Sequence, residues 1–152
     1  MRYEQTRNIL QHLAPEYHRA VSRYFEALSE GDVSPRVRLM LDYLIDHEGH
    51  RALALGEYCR DAPHHVLDQW FKGLEINFPE AGPETIEEGV GNDLDLLVKA
   101  AVGYKRTLID YYAYLIDHAE NTETLDLFQT LKAQEEKAMK RMIRHAQGLA
   151  DL

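Results

Sequence analysis

Apolar residues recur at intervals of three and four along four long stretches of the chain. That spacing marks one face of an α-helix. In the first stretch, from about Tyr3 to Ser29, the stripe is Leu10, Leu13, Tyr17, Val21, Tyr24 and Leu28. Pro15 lies inside it, so either the helix kinks there or one helix ends and another begins with Pro15 in its opening turn. Glu30-Gly31-Asp32 is a stop signal. Ser34-Pro35 then opens the second stretch as an N-cap followed by proline at the first helical position. Its stripe is Val37, Met40, Leu41, Leu44, Leu55 and Tyr58, and it ends before Pro63, since the residue preceding a proline disfavours the helical region. The third stretch starts near Asn92, with Asp93 and Asp95 at the positive end of the helix dipole. It carries Leu94, Leu97, Ala101, Tyr104, Leu108, Tyr111 and Leu115. Glu120-Asn121-Thr122 breaks the pattern and supplies a new N-cap. The fourth stretch reads Leu125, Phe128, Leu131, Glu135, Ala138, Met142 and Leu149.

Residues 61–91 differ. They hold Pro63, Pro79, Pro83, Gly73, Gly82, Gly89 and Gly91. A helix of about 26 residues is only about 40 Å long at ~1.5 Å per residue, so an extended connection of roughly 30 residues can return along its whole length. Val66, Leu67, Trp70, Phe71, Leu74, Ile76 and Phe78 are suited to pin it to the helices. Two short turns make two antiparallel hairpins, and the long crossover joins them. The expected fold is all-α: one domain over 1–152, an antiparallel four-helix bundle with a long crossover between helices two and three.

Composition narrows the function. The chain has 152 residues, 45% hydrophobic and 28% charged, enough for one packed core. Its net charge of −9 repels nucleic-acid backbones and anionic membrane surfaces alike. The single cysteine, Cys59, allows no internal disulfide, and the opening residues lack the apolar stretch of a signal peptide. The expected setting is the cytoplasm.

The informative signal is charge on faces that should be dry. In helix two the stripe makes 48 and 51 inward positions, occupied by Glu48 and Arg51. In helix four it makes 135 and 138 inward positions, occupied by Glu135 and Ala138. Each hairpin thus aims one carboxylate at the bundle axis, where it needs a partner, a proton or a metal.

Here the chain resembles the ferritin-like and rubrerythrin-like di-iron carboxylate proteins. Leu44-Ile45-Asp46-His47-Glu48-Gly49-His50-Arg51 is similar to the family's helix-two motif Glu-x-x-His, and Leu131 to Ala138 to its helix-four copy. The resemblance runs from about residue 8 to residue 149 and implies a ferritin-like bundle with a metal centre. Both motif histidines are replaced, by Arg51 and Ala138. The terminal glutamates that the resemblance implies on helices one and three are also missing. Glu16 lies beside the predicted face, and helix three offers only Asp110 and Asp117. This is the pattern of a dismantled di-iron site. A guanidinium suits the vacated space, because it binds carboxylates bidentately. Arg51 is therefore expected to pair with both Glu48 and Glu135, with no resident cofactor. The competing reading keeps a metal: His18, His47 and His50 lie near the same level, and His18 and His47 with Glu48 and Glu135 are candidate ligands for iron or another divalent ion.

Tyr17, Tyr24, Tyr104 and Tyr111 read as core tyrosines. His64-His65 reads as a solvated loop pair, Cys59 as structural, and Trp70-Phe71 as a clamp. Lys137, Lys140, Arg141 and Arg144 read as the exposed face of helix four. No phosphate loop, Gly-x-Ser-x-Gly elbow or Cys-x-x-Cys pair occurs. The functional expectation is an interaction or sensor protein, forming a homodimer through helix faces. The alternative is a metal-dependent oxidoreductase handling oxygen or peroxide. A bundle that binds a small apolar ligand among its tyrosines is the third reading.

Overall fold

The structure, a computed structural model, describes residues 3–73, 75–79 and 89–152. Four long helices dominate: α1 (Ala14–Ser29), α2 (Pro35–Asp61), α3 (Leu94–Asp117) and α4 (Thr122–Ala150). The connections 30–34 and 118–121 are short, so α1 packs along α2 and α3 along α4 as antiparallel hairpins. The stripes meet in one core that includes Leu10, Tyr17, Val21, Leu41, Leu55, Leu97, Leu108, Phe128 and Leu131.

Side-chain caps set where the helices begin. Ser34 accepts from the Val37 amide, with Pro35 at the first helical position. Asp93 accepts from the Asp95 and Leu96 amides, and Asn121 from the Thr124 amide at 2.8 Å. Each cap satisfies a helix-end donor that would otherwise lack a partner. Asn121→Ala should therefore lower stability by about 1 kcal/mol, read as a reduced urea midpoint at unchanged slope.

Pro15 does not divide the first helical segment. A helical turn at Thr6–Asn8 runs into a π-helix at Ile9–Leu13, which continues directly into α1. The Ala14 amide bonds back to the Ile9 carbonyl, five residues earlier. A proline ring collides with the carbonyl four residues before it, and the wider π turn relieves that collision. The backbone stays helical throughout, and Pro15 falls in the opening turn of α1, as one of the two sequence alternatives had it.

The crossover contains structure that the sequence reading missed. A short helical turn, His64–Leu67, precedes the strand β2 (Trp70–Lys72). β2 pairs antiparallel with β1 (Tyr3–Gln5), Glu4 facing Phe71. Val66, Leu67 and Phe71 are buried as expected, but Trp70 is 59% exposed and is no clamp. Alternation along the strand explains the split, since neighbouring side chains point to opposite faces. Gln69 ties the crossover to the second hairpin through the His118 carbonyl and the Glu120 amide. Phe78 packs edge-on against Tyr17, ring centres 5.6 Å apart. Leu74, Gly82 and Pro83 lie outside the described residues.

Candidate site at the centre of the bundle

The long helices bring a charged cluster together inside the core. His18 from α1, Glu48 from α2, Lys105 from α3 and Glu135 from α4 are each at most 4% exposed. The cluster is built around the ammonium of Lys105. Lys105 Nζ lies 2.7 Å from Glu135 Oε2, 3.1 Å from Glu48 Oε1 and 3.0 Å from His47 Nε2. An ammonium has three hydrogens, and here each finds an acceptor. Glu48 Oε2 accepts from His18 Nδ1. Glu135 Oε1 accepts from Arg51 Nε at 3.0 Å. All four oxygens of the two buried carboxylates therefore have a protein donor. Two negative charges face two positive ones, the condition under which buried charge is tolerated.

The cluster extends outward from Arg51. Its terminal nitrogen donates to the Gln134 side-chain oxygen at 3.0 Å, and the Gln134 amide donates to the Tyr58 hydroxyl. On the other side, half-buried His47 stacks on Tyr43, which stacks in turn on His145. Tyr112 is fully buried, and its hydroxyl finds no hydrogen-bond partner among the described residues.

Electrostatics follow this geometry. Burial alone would push the Glu48 carboxyl up, but Lys105 and His18 more than offset that and hold it down at about 2. Burial opposes ionisation of Glu135 as well, and Lys105, His18 and Arg51 bring its value below the ordinary one. Burial would lower Lys105, yet the two carboxylates raise it. His47 is lowered to about 4, by burial first and the adjacent ammonium second. Its Nε2 accepts from Lys105, so the imidazole is neutral. His18 must carry its hydrogen on Nδ1, because an ionised carboxylate can only accept. Burial also raises the Tyr17 and Tyr112 hydroxyls.

Glu48 and Glu135 reach the cluster, as their positions on the stripes suggest, and His18 and His47, each one residue away from an inward position, join it. Two sequence expectations need correction. Arg51 bonds to Glu135 and Gln134 rather than to Glu48; Lys105 stands between the carboxylates instead. Arg51 is too far toward the bundle surface, 15% exposed, to span both. The second correction concerns the remaining acids and His50. Glu16 is exposed and paired with Arg19, while Asp110 and Asp117 are exposed. His50 is exposed beside Asp46. The places facing the two glutamates from α1 and α3 belong to His18 and Lys105. Lys105 had a signal: it falls four residues after Ala101 and three before Leu108, on the inward stripe. Following Tyr104 hid it, and Tyr104 is only half-buried.

Across 97% of both chains, the structure matches a crystal structure from Thermotoga maritima provisionally described as a ferritin-like diiron-carboxylate protein, with a TM-score of 0.66 and 16% sequence identity. The chain has the ferritin-like fold. No protein-family model matches it, and no curated protein matches it. A ferritin-like fold raises the question of a metal pair at the bundle centre. The donor set does not fit one. The space between the carboxylates holds the Lys105 ammonium, and their lone pairs toward the axis are already engaged. The other inward positions, Arg51 and Ala138, offer no metal-binding atom. Among the described residues, no group of three or more His, Cys, Asp or Glu side chains is arranged to hold a metal ion. None of the helices is long and apolar enough among those residues to cross a membrane.

The remaining candidates keep their ordinary roles. His65 pairs with Glu123 at 2.9 Å on the surface. Lys137, Lys140, Arg141 and Arg144 are exposed on α4. Cys59 is buried and free.

Proposed function

We propose that this ferritin-like bundle works without a metal centre, as an interaction or sensing domain whose core is organised by an internal ion-pair cluster. The observation that carries the reading is the Lys105 ammonium, within 3.1 Å of both inward glutamates. A protein cation there supplies the neutralising charge that a metal would supply, and needs no exogenous ion. His18 and Arg51 complete the coordination of the carboxylates by hydrogen bonding. One feature favours a metal-dependent oxidoreductase instead. The His18 Nε2 atom is buried, 3.5 Å from Glu135 Oε1, and makes no hydrogen bond among the described residues. An imidazole nitrogen so placed could ligate a single divalent ion if Lys105 withdrew.

Iron titration separates the two. Ferrous iron is added to the purified protein without oxygen, bound iron is counted, and air is then admitted while near-ultraviolet absorption is followed. The native chain is expected to hold no stoichiometric iron and to develop no oxo-bridged ferric band. A His18→Glu, Arg51→His, Lys105→Glu, Ala138→His variant presents a full carboxylate and histidine set, and is expected to bind iron. Stoichiometric iron in the native chain would overturn the metal-free reading.

A further inference from the structure

We propose that the cavity between the end of α2 and the chain's first helical turns is a binding site for a small phosphate-bearing anion. The cavity holds about 520 Å³ and is lined by Arg7, Gln11, Gly56, Cys59, Arg60 and His64 together with apolar side chains. That volume lies in the range of small-molecule sites. No Asp or Glu lines it, in a chain of net charge −9. The segregation is local and sharp. Asp61, the next residue after Arg60, turns instead to a separate cleft that it shares with Glu123 and Asp126.

Two of the three basic groups, Arg60 and His64, are not consumed by internal pairing among the described residues. Arg7 is held by Asp68 at 2.6 Å, which orients its guanidinium at the cavity edge. The side chains of Arg60 and His64 make no hydrogen bond or ion pair among the described residues. A guanidinium offers a planar fork of donors that matches phosphate oxygens. Cationic groups around a concave, low-dielectric wall also focus potential into the cavity. Gln11 adds a neutral donor from the π-helix, and such widened turns are frequent at functional sites.

Gly56 lines the cavity, and a Cβ built there meets nothing within 4 Å, so the wall is open at that point and a larger side chain introduced there would extend into open space. The apolar part of the lining suits an organic body attached to the phosphate.

The test uses the full chain at constant ionic strength, titrated in separate arms with inorganic phosphate and with phenyl phosphate, followed by calorimetry. Saturable one-to-one binding is expected in the phenyl phosphate arm. Tighter binding there than in the phosphate arm marks an ester as the occupant, and equal binding marks free phosphate; either supports the site. Arg60→Gln should weaken binding at least tenfold. Gly56→Leu should abolish it without lowering the unfolding temperature, and Lys137→Gln, a charge on the exposed face of α4, should leave it unchanged. Absence of saturable binding in both arms, or equal binding by Arg60→Gln and Gly56→Leu, overturns the proposal. Iron content plays no part in any arm, so the result is independent of the metal question.

Discussion

Lys105→Met should destabilise the protein by about 3–5 kcal/mol, the usual penalty for removing one partner of a buried ion pair. Methionine keeps most of the side chain's length, one heavy atom short, and removes its charge, so lost packing contributes little. What remains is Glu48 and Glu135 facing each other without the ammonium that lies 3.1 and 2.7 Å away. His18 and Arg51 still serve one oxygen of each, but two negative charges then share a single guanidinium. The companion variant Lys105→Met, Glu48→Gln removes one charge of each sign and should recover most of the loss. A glutamine oxygen can still accept from His18. Urea unfolding of the native chain, both of these variants and Glu48→Gln alone measures the coupling between the sites. If Lys105→Met unfolds within about 0.5 kcal/mol of the native chain, the range of ordinary surface changes, the ammonium is not what holds the cluster together.

Acid should unfold the protein in two overlapping stages. The folded pKa of His47 is depressed from 6.5 to about 4. Below 6.5 the unfolded chain takes up a proton there that the folded one refuses, so stability falls as pH drops from 6.5 toward 4. Glu48 and Glu135 are depressed from 4.5, Glu48 to about 2. Their contribution is fully present above 4.5 and is lost as pH falls through the folded values. All three groups act in the same direction, so the unfolding free energy should decline steeply below pH 6.5. Lys105 has the opposite dependence: its folded value is raised above 10.5, so its contribution persists through neutral pH and disappears only in strong base. Chemical unfolding at a series of pH values tests the scheme. Removing the histidine by His47→Gln should flatten the upper stage and leave the lower one. A single transition unaffected by this substitution would reject the assignment of the upper stage.

Much of the fold was legible in the sequence because it depends on local patterns. The three-and-four spacing selects helices and their buried faces. Ser34, Asp93 and Asn121 mark where helices begin, since a short polar side chain satisfies an exposed helix-end amide within its own turn. Short connections force neighbouring helices to be antiparallel. The same stripes placed Glu48 and Glu135 inward, and this is the part of the site that periodicity could reach.

What the stripes could not decide is which charged groups meet across the bundle. Pairing depends on the axial alignment of helices that are distant in sequence, and on how far a flexible side chain reaches. Arg51 and Lys105 were both on inward arcs, and only the packing of α3 against α2 and α4 puts Lys105 between the carboxylates and leaves Arg51 at the edge. Pro15 carried the same ambiguity: whether a helix breaks or widens there depends on what the preceding turn packs against. The short β1–β2 ribbon was equally out of reach, because its partners, Tyr3–Gln5 and Trp70–Lys72, are each three residues long and far apart in sequence. Local sequence thus determined the helices and their dry faces, because those follow from contacts within a turn or two. Tertiary structure alone decided the charge pairing at the centre, because a buried ion pair is a property of two surfaces brought together.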